Sequence, residues 1–339
     1  MNRTDSRAGF RLLWLTGLLL LLPALAARAG ESAIVDTPAV QAAHARGAIL
    51  WDVRSEADYA KGHLPGAVNV GFIGEVLRDA NTEDYLPTPQ IAATLGAAGI
   101  DPSREVVVYA GRGNPFAYFG LVTLRHFGAT RASVYHDGLD GWKAAGLPVS
   151  TEATTLPPVA LTLKASDDAL LDTGQLRALL GKVQLVDVRT PGEYHGRDIR
   201  ALRGGHIPGA VNIPYEQNWA DPETPRKLMA RSVADNSGMA LKNAGALQSL
   251  YGALDPDKET VVYCQSGVRA SETATVLRSL GFRDVKVYDP SWLGYGNTLD
   301  APAEEVAFFN VGLMNKRMKS LESTVHQLEA QLQSLQKSP

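Results

Sequence analysis

The chain holds a single cysteine in 339 residues. No internal disulfide can form, so whatever that thiol does, it does unpaired. A basic excess is missing too. Against 33 Lys and Arg stand 36 Asp and Glu, a formal net charge of −3. A chain so balanced carries no electrostatic footprint for nucleic acid. Past the N-terminal segment there is no apolar run long enough to span a bilayer. No His or second Cys stands in metal-ligand spacing, so neither a metal nor another cofactor is expected. The rest is ordinary for a globular protein, 45% hydrophobic and 20% charged. The length suffices for two domains, each with its own core.

The N-terminal segment has the layout of a secretory signal peptide. Arg3, Arg7 and Arg11 precede an apolar run from Leu12 to Leu22, and Ala27-Arg28-Ala29 supplies small residues before Gly30. No paired arginines precede the run, which favours the general export route over the twin-arginine one. The expectation is a signal peptide over 1–29, cleaved near Ala29, and a periplasmic protein. The alternative is an uncleaved anchor, for which the run is short. In an oxidising compartment, a lone thiol is either buried and inert or kept for its reactivity.

The chain also repeats itself. Asp52-Val53-Arg54, Tyr59 and Gly62-His63-Leu64-Pro65-Gly66-Ala67-Val68-Asn69 recur as Asp187-Val188-Arg189, Tyr194 and Gly205-His206-Ile207-Pro208-Gly209-Ala210-Val211-Asn212. Val106-Val107-Val108-Tyr109-Ala110 recurs as Thr260-Val261-Val262-Tyr263-Cys264, and Val134-Tyr135 with Trp142 as Val287-Tyr288 with Trp292. The order is the same in both halves, so two copies of one domain are the simplest account. Short β-branched runs between helical stretches predict α/β domains, each a parallel sheet flanked by helices. We expect copy 1 over 30–150, an exposed linker over 151–158, copy 2 over 159–300 and a C-terminal helix over 301–339. Copy 2 carries a long insertion between Pro214 and Ala253, expected beside the site. In the tail, Met314, Met318, Leu321, Val325, Leu328, Leu332 and Leu335 alternate by fours and threes. That stripe fits either a helix on the protein's own surface or a coiled coil joining subunits through 314–335. Its narrowness favours the coiled coil, and with it a homo-oligomer.

Cys264 opens the turn Cys264-Gln265-Ser266-Gly267-Val268-Arg269, between a predicted strand, Val261 to Tyr263, and a predicted helix from Ala270 to Leu280. Amides at a helix start favour negative charge. Gly267 permits a tight path, and Arg269 adds a cation. Such a turn favours a thiolate over a thiol. A buried structural thiol is the competing interpretation, but it needs no polar, glycine-containing turn.

These motifs together resemble the rhodanese family of sulfurtransferases, over both halves from about residue 35 to 300. The resemblance implies tandem rhodanese-like domains. It makes Cys264 the catalytic nucleophile, which takes a sulfane sulfur as a persulfide and passes it to cyanide or a thiol. Gln265, Ser266, Gly267, Val268 and Arg269 would hold the anionic donor, with Asp187 and Arg189 in support. Related phosphatases carry one more residue between Cys and Arg, so the shorter turn favours sulfur over phosphoryl chemistry.

Copy 1 has Ala110 in place of Cys264 and cannot form a persulfide. Features that persist there belong to the scaffold. On that ground Asp187, Arg189, His63 and His206 are expected to be structural. Where thiosulfate and mercaptopyruvate enzymes of the family often carry Arg, this chain has Glu193. Arg197, Arg200 and Arg203 either replace that charge or form a solvated loop. Arg269 suits a dianionic donor such as thiosulfate. Against this enzyme stands a non-enzymatic carrier of sulfane sulfur, and further off an arsenate reductase or phosphatase on the same fold.

Overall fold

A computed structural model of the chain describes residues 33–166 and 169–336. The expected signal peptide over 1–29 lies outside the described residues. Copy 1 forms strands β1 (Ile34–Val35), β2 (Ile49–Asp52), β3 (Val68–Asn69), β4 (Val106–Tyr109) and β5 (Ala132–Tyr135). Copy 2 forms β6 (Leu170–Leu171), β7 (Gln184–Asp187), β8 (Arg203–His206), β9 (Val211–Asn212), β10 (Thr260–Tyr263) and β11 (Val285–Tyr288). Both copies build a five-stranded parallel sheet with the same order, β1-β5-β4-β2-β3 and β6-β11-β10-β7-β9.

Alternation along each central strand sends side chains to two apolar layers. In copy 1, Trp51, Val106 and Val108 face one layer, and Leu50, Val107 and Tyr109 the other. In copy 2, Val186 and Val262 face one layer, and Leu185, Val261 and Tyr263 the other. Every residue of β4 and β10 is buried, which is why these strands read as unbroken apolar runs.

The helices that follow the two central strands, Pro115–His126 and Val268–Ser279, pack against each other and join the copies. Val268 of copy 2 enters the copy 1 core, and Val122 of copy 1 enters the copy 2 core. The segment after copy 1 is not a free linker. Leu156, Leu161 and Leu163 are partly buried against the copy 1 core, and the Val159 amide donates to the Gly96 carbonyl. Gly96 and Gly99 make this approach possible, since a Cβ at either would meet that backbone within 3 Å.

Two departures from expectation lie near the C-terminus. Residues 304–308 are not helical. Glu304–Phe308 forms strand β12, antiparallel to β8. Pro302 brings no amide donor to a helix over this stretch, and β8 offers an open edge. The helix begins at Val311 and runs to Gln336. Its side chains are exposed from Val311 to Ser334, so it does not lie on the protein's own surface. No helix among the described residues is long and apolar enough to cross a membrane.

Candidate functional site

Parallel pairing sets Tyr263 beside Asp187, so the turn after β10 sits at the C-terminal edge of the sheet. Cys264 lies at its start, 1% exposed. The helix behind the turn begins at Val268, two residues earlier than predicted, with Gly267 in the left-handed region at φ 81°. A Cβ at Gly267 would meet the Asp289 carbonyl and carboxylate oxygens at 2.9 Å, so glycine is required twice over.

Ser291 fastens the turn. Its Oγ accepts from the Cys264 amide at 3.1 Å and the Gly267 amide at 3.0 Å, and donates to the Tyr288 carbonyl at 2.7 Å. Ser291 itself has φ 49°, a conformation L-residues avoid. The amides of Trp292 and Leu293 then donate to the carbonyls of Cys264 and Gln265. The turn's carbonyls are thereby held outward. Among the described residues, the amides of Gln265, Ser266, Val268, Arg269 and Ala270 find no acceptor. A turn with its carbonyls tied back and its amides free is an anion cradle.

Arg269 does not stand free. Its Nη1 and Nη2 each donate to Glu193 at 2.8 Å, a bidentate pair with a carboxylate 2% exposed. Glu193 also caps its own short helix through Thr190 and accepts from Arg200 at 3.2 Å. Burial opposes the Glu193 charge, but the Arg269 hydrogen bonds and charge outweigh it and hold the carboxyl at about 2. Burial likewise opposes the Arg269 charge, and Glu193 and Cys264 raise its pKa overall. Two guanidiniums thus share one carboxylate beside Cys264, leaving one net positive charge. Of the arginines expected nearby, Arg200 reaches the site, and its carbonyl accepts from the Gln265 amide group at 2.7 Å. Arg203 is buried and donates to the carbonyls of Thr298 and Ala301. Arg197 is exposed.

Asp187 and Arg189 are locked together beneath the turn, with Nε–Oδ1 at 3.0 Å and Nη2–Oδ2 at 2.6 Å, and Arg189 also donates to the Gly205 carbonyl. Copy 1 repeats this with Asp52, Arg54 and the Gly62 carbonyl. The histidines repeat as well. His63 stacks on Tyr59 and His206 on Tyr194, each pair at 3.7 Å between centroids. All eight side chains brace the motifs, four in each copy.

One participant came from the other copy, and its sequence gave no signal. Arg78 of copy 1 is 4% exposed and donates through Nη1 to the Ser266 carbonyl at 2.7 Å. Its Nη2 lies 3.6 Å from Asp289 Oδ1, and its guanidinium stacks on Phe119 at 4.8 Å. Burial pushes the Asp289 carboxyl up to about 6, with Arg78 pulling the other way. The sequence marks Ser291 only as the residue before the repeated Trp292, without a role.

The copy 1 turn shows the contrast. The Arg112 amide donates to the Asp140 carboxylate at 2.8 Å, and the Arg112 side chain to Asp137 at 2.8 Å. An internal carboxylate occupies what would be an anion cradle. The insertion of copy 2 then covers it. The Met239 side chain lies against Gly113, Asn236 donates to Asp140, and His136 bonds the Met239 carbonyl. The same insertion reaches the other site's helix, where Trp219 Nε1 donates to the buried Glu272 at 2.9 Å and Asn218 to Thr273 at 3.2 Å. No cluster of three or more metal-ligating side chains occurs among the described residues.

Comparison with known proteins agrees with this geometry. The model of the rhodanese-like domain matches residues 36–145 and 172–298. The chain is 34% identical over 261 residues to a thiosulfate sulfurtransferase of Corynebacterium glutamicum, covering 73% of this chain and 81% of that one. Among solved structures, SseA of Escherichia coli, described with the 3-mercaptopyruvate sulfotransferases and the rhodanese fold, aligns with a TM-score of 0.63 and 25% identity, over 77% of this chain and 99% of that one. An anaerobic ergothioneine biosynthesis enzyme from Chlorobium limicola aligns with a TM-score of 0.67 at 20% identity, over 80% of this chain and 70% of that one, a likeness of fold.

Proposed function

This chain belongs to the rhodanese family and is a sulfurtransferase; on that premise we propose that it carries sulfane sulfur from a small anionic donor such as thiosulfate, through a persulfide on Cys264, to cyanide or a thiol. The Cys264 thiolate attacks the outer sulfur of thiosulfate. The sulfur–sulfur bond breaks, and sulfite leaves with its electron pair. The terminal sulfur of the persulfide is then attacked by cyanide, thiocyanate leaves, and the thiolate returns. No net oxidation of the protein occurs, and no cofactor is needed.

The observation that carries this reading is the set of amides at Gln265, Ser266, Val268, Arg269 and Ala270, unpartnered among the described residues, around the only thiol. Those donors suit an anion or a persulfide, and would be left unsatisfied around an inert buried thiol. The net positive charge of Arg269, Arg200 and Glu193 suits an anionic donor. The uncharged Gln265 and Ser266 set no requirement for a carboxylate, as mercaptopyruvate would bring.

The competing reading is a carrier that loads one sulfur and hands it to a partner protein. Steady-state turnover of thiosulfate with cyanide separates the two. An enzyme releases many equivalents of thiocyanate per Cys264, whereas a carrier stops at one. Export belongs to the same proposal. Expressed with its own N-terminal segment, the protein is expected in the periplasm with Gly30 at its mature N-terminus. Cytoplasmic protein beginning at Met1 would contradict that.

A further inference from the structure

The C-terminal helix presents an apolar stripe that nothing in the chain covers. Met318, Leu321, Val325, Leu328 and Leu332 are 50% to 65% exposed, on a helix whose described side chains are all exposed. An apolar seam of this kind left in water is costly. Extending the register upstream puts Val311 on the same seam. Positions a are then Val311, Met318, Val325 and Leu332, and positions d are Met314, Leu321 and Leu328, with Leu335 following in sequence. β-Branched Val311 and Val325 at a, with Leu321 and Leu328 at d, favour two strands.

The flanking positions select the orientation. In this register Arg317 falls at g, and Glu322 and Glu329 at e. In a parallel, in-register pair, each g residue faces the e residue five positions on in the other helix. Arg317 then meets Glu322 of the second copy, and by symmetry the pair forms twice. An antiparallel pair would instead run the Glu322–Glu329 edge of one helix along the same edge of the other, setting like charges together. Inside the chain, Arg317 and Glu322 have no ion-pair partner among the described residues. The remaining positions are nearly all polar, so the apolar face is too narrow for a broad docking surface.

We propose that residues 311–336 form a parallel, in-register, two-stranded coiled coil with a second copy of this chain, its orientation set by reciprocal Arg317–Glu322 pairs. The proposal is independent of the chemistry at Cys264.

Sedimentation equilibrium of the full chain tests the association. We expect a dimer, converted to a monomer by Leu321→Asp with Leu328→Asp, with sulfurtransferase turnover per Cys264 unchanged. Arg317→Glu should raise the dimer dissociation constant about tenfold, and adding Glu322→Arg in the same chain should restore it. Leu328→Cys, made with Cys264→Ser, should give a symmetric disulfide on air oxidation, because parallel register brings the two introduced thiols together. A wild-type monomer at every concentration, a trimer, or a dimer that survives Leu321→Asp with Leu328→Asp would each overturn the proposal. So would failure of the charge swap to restore affinity or of the disulfide to form, since both depend on parallel register.

Discussion

At the scale of single residues, the site depends on groups that satisfy one another. Glu193 gains its low pKa from Arg269, so it contributes stability that is complete above its ordinary pKa near 4.5 and is lost as pH falls through about 2. A shift of that size corresponds to about 3 kcal/mol. Glu193→Gln should therefore be less stable than wild type by about that amount near pH 6, with the gap closing as pH falls from 5 towards 2. Denaturant titrations across that range check it, and a gap independent of pH would contradict the pairing. Ser291 accepts two buried amides while held at positive φ. Ser291→Ala leaves both amides unsatisfied, at about 1–3 kcal/mol each, and should lower turnover more than tenfold at temperatures where the variant is still folded. Ser291→Gly relieves the backbone but not the amides, so it should recover stability without activity. Full activity in either variant would remove Ser291 from the account.

At the scale of elements, the central feature is a turn between a buried strand and a buried helix, clamped from the opposite copy. Arg78 reaches across the interface to the Ser266 carbonyl and Asp289, which lies directly behind Gly267. It is a positioning residue, since it acts through the turn. Arg78→Met should lower kcat about tenfold with a smaller effect on KM, because the turn's geometry is loosened while Arg269 and Arg200 remain. The Asp289 pKa gives a second measure. Raised to about 6 in the fold, that carboxyl favours the folded state fully below its ordinary pKa near 4, and the contribution is lost as pH rises through 6. Removing the Arg78 charge should move this loss to higher pH. Carboxyl titration by carbon NMR reads it, and an unmoved Asp289 in Arg78→Met would show that the two do not interact. The helix of the tail belongs to this scale as well, since its pattern defines a surface and not a site.

For the whole molecule, the sequence made the duplication readable because each copy must repeat the same buried strands and the same Tyr–His stacks. The contrast between Cys264 and Ala110 likewise separated the scaffold from the chemistry. Arg78 was beyond reach because the Ser266 carbonyl it holds lies 188 residues away, and an arginine in a loop ordinarily faces solvent. Arg269 was legible as a cation but not as one half of a pair, because Glu193 contacts it only through the fold. The strand inside the helix expected over 301–339 was not legible because β12 is short and gains its strand character from the free edge of β8. Copy 1 has the same fold without the thiol, with its turn closed by Asp140 and covered by Met239. On the proposed function it is expected to support copy 2, and Arg112→Ala should leave thiosulfate turnover and KM unchanged.

The account rests on Cys264 as the carrier of the transferred sulfur. Its thiol is buried, so a small donor such as thiosulfate should reach it where bulky reagents do not. Peptide mass spectrometry after incubation with thiosulfate tests this directly. The account predicts a gain of one sulfur atom on the peptide that contains Cys264, removed by cyanide and absent from Cys264→Ser. A wild-type peptide that gains no sulfur while thiocyanate is produced, or turnover that persists in Cys264→Ser, would contradict it.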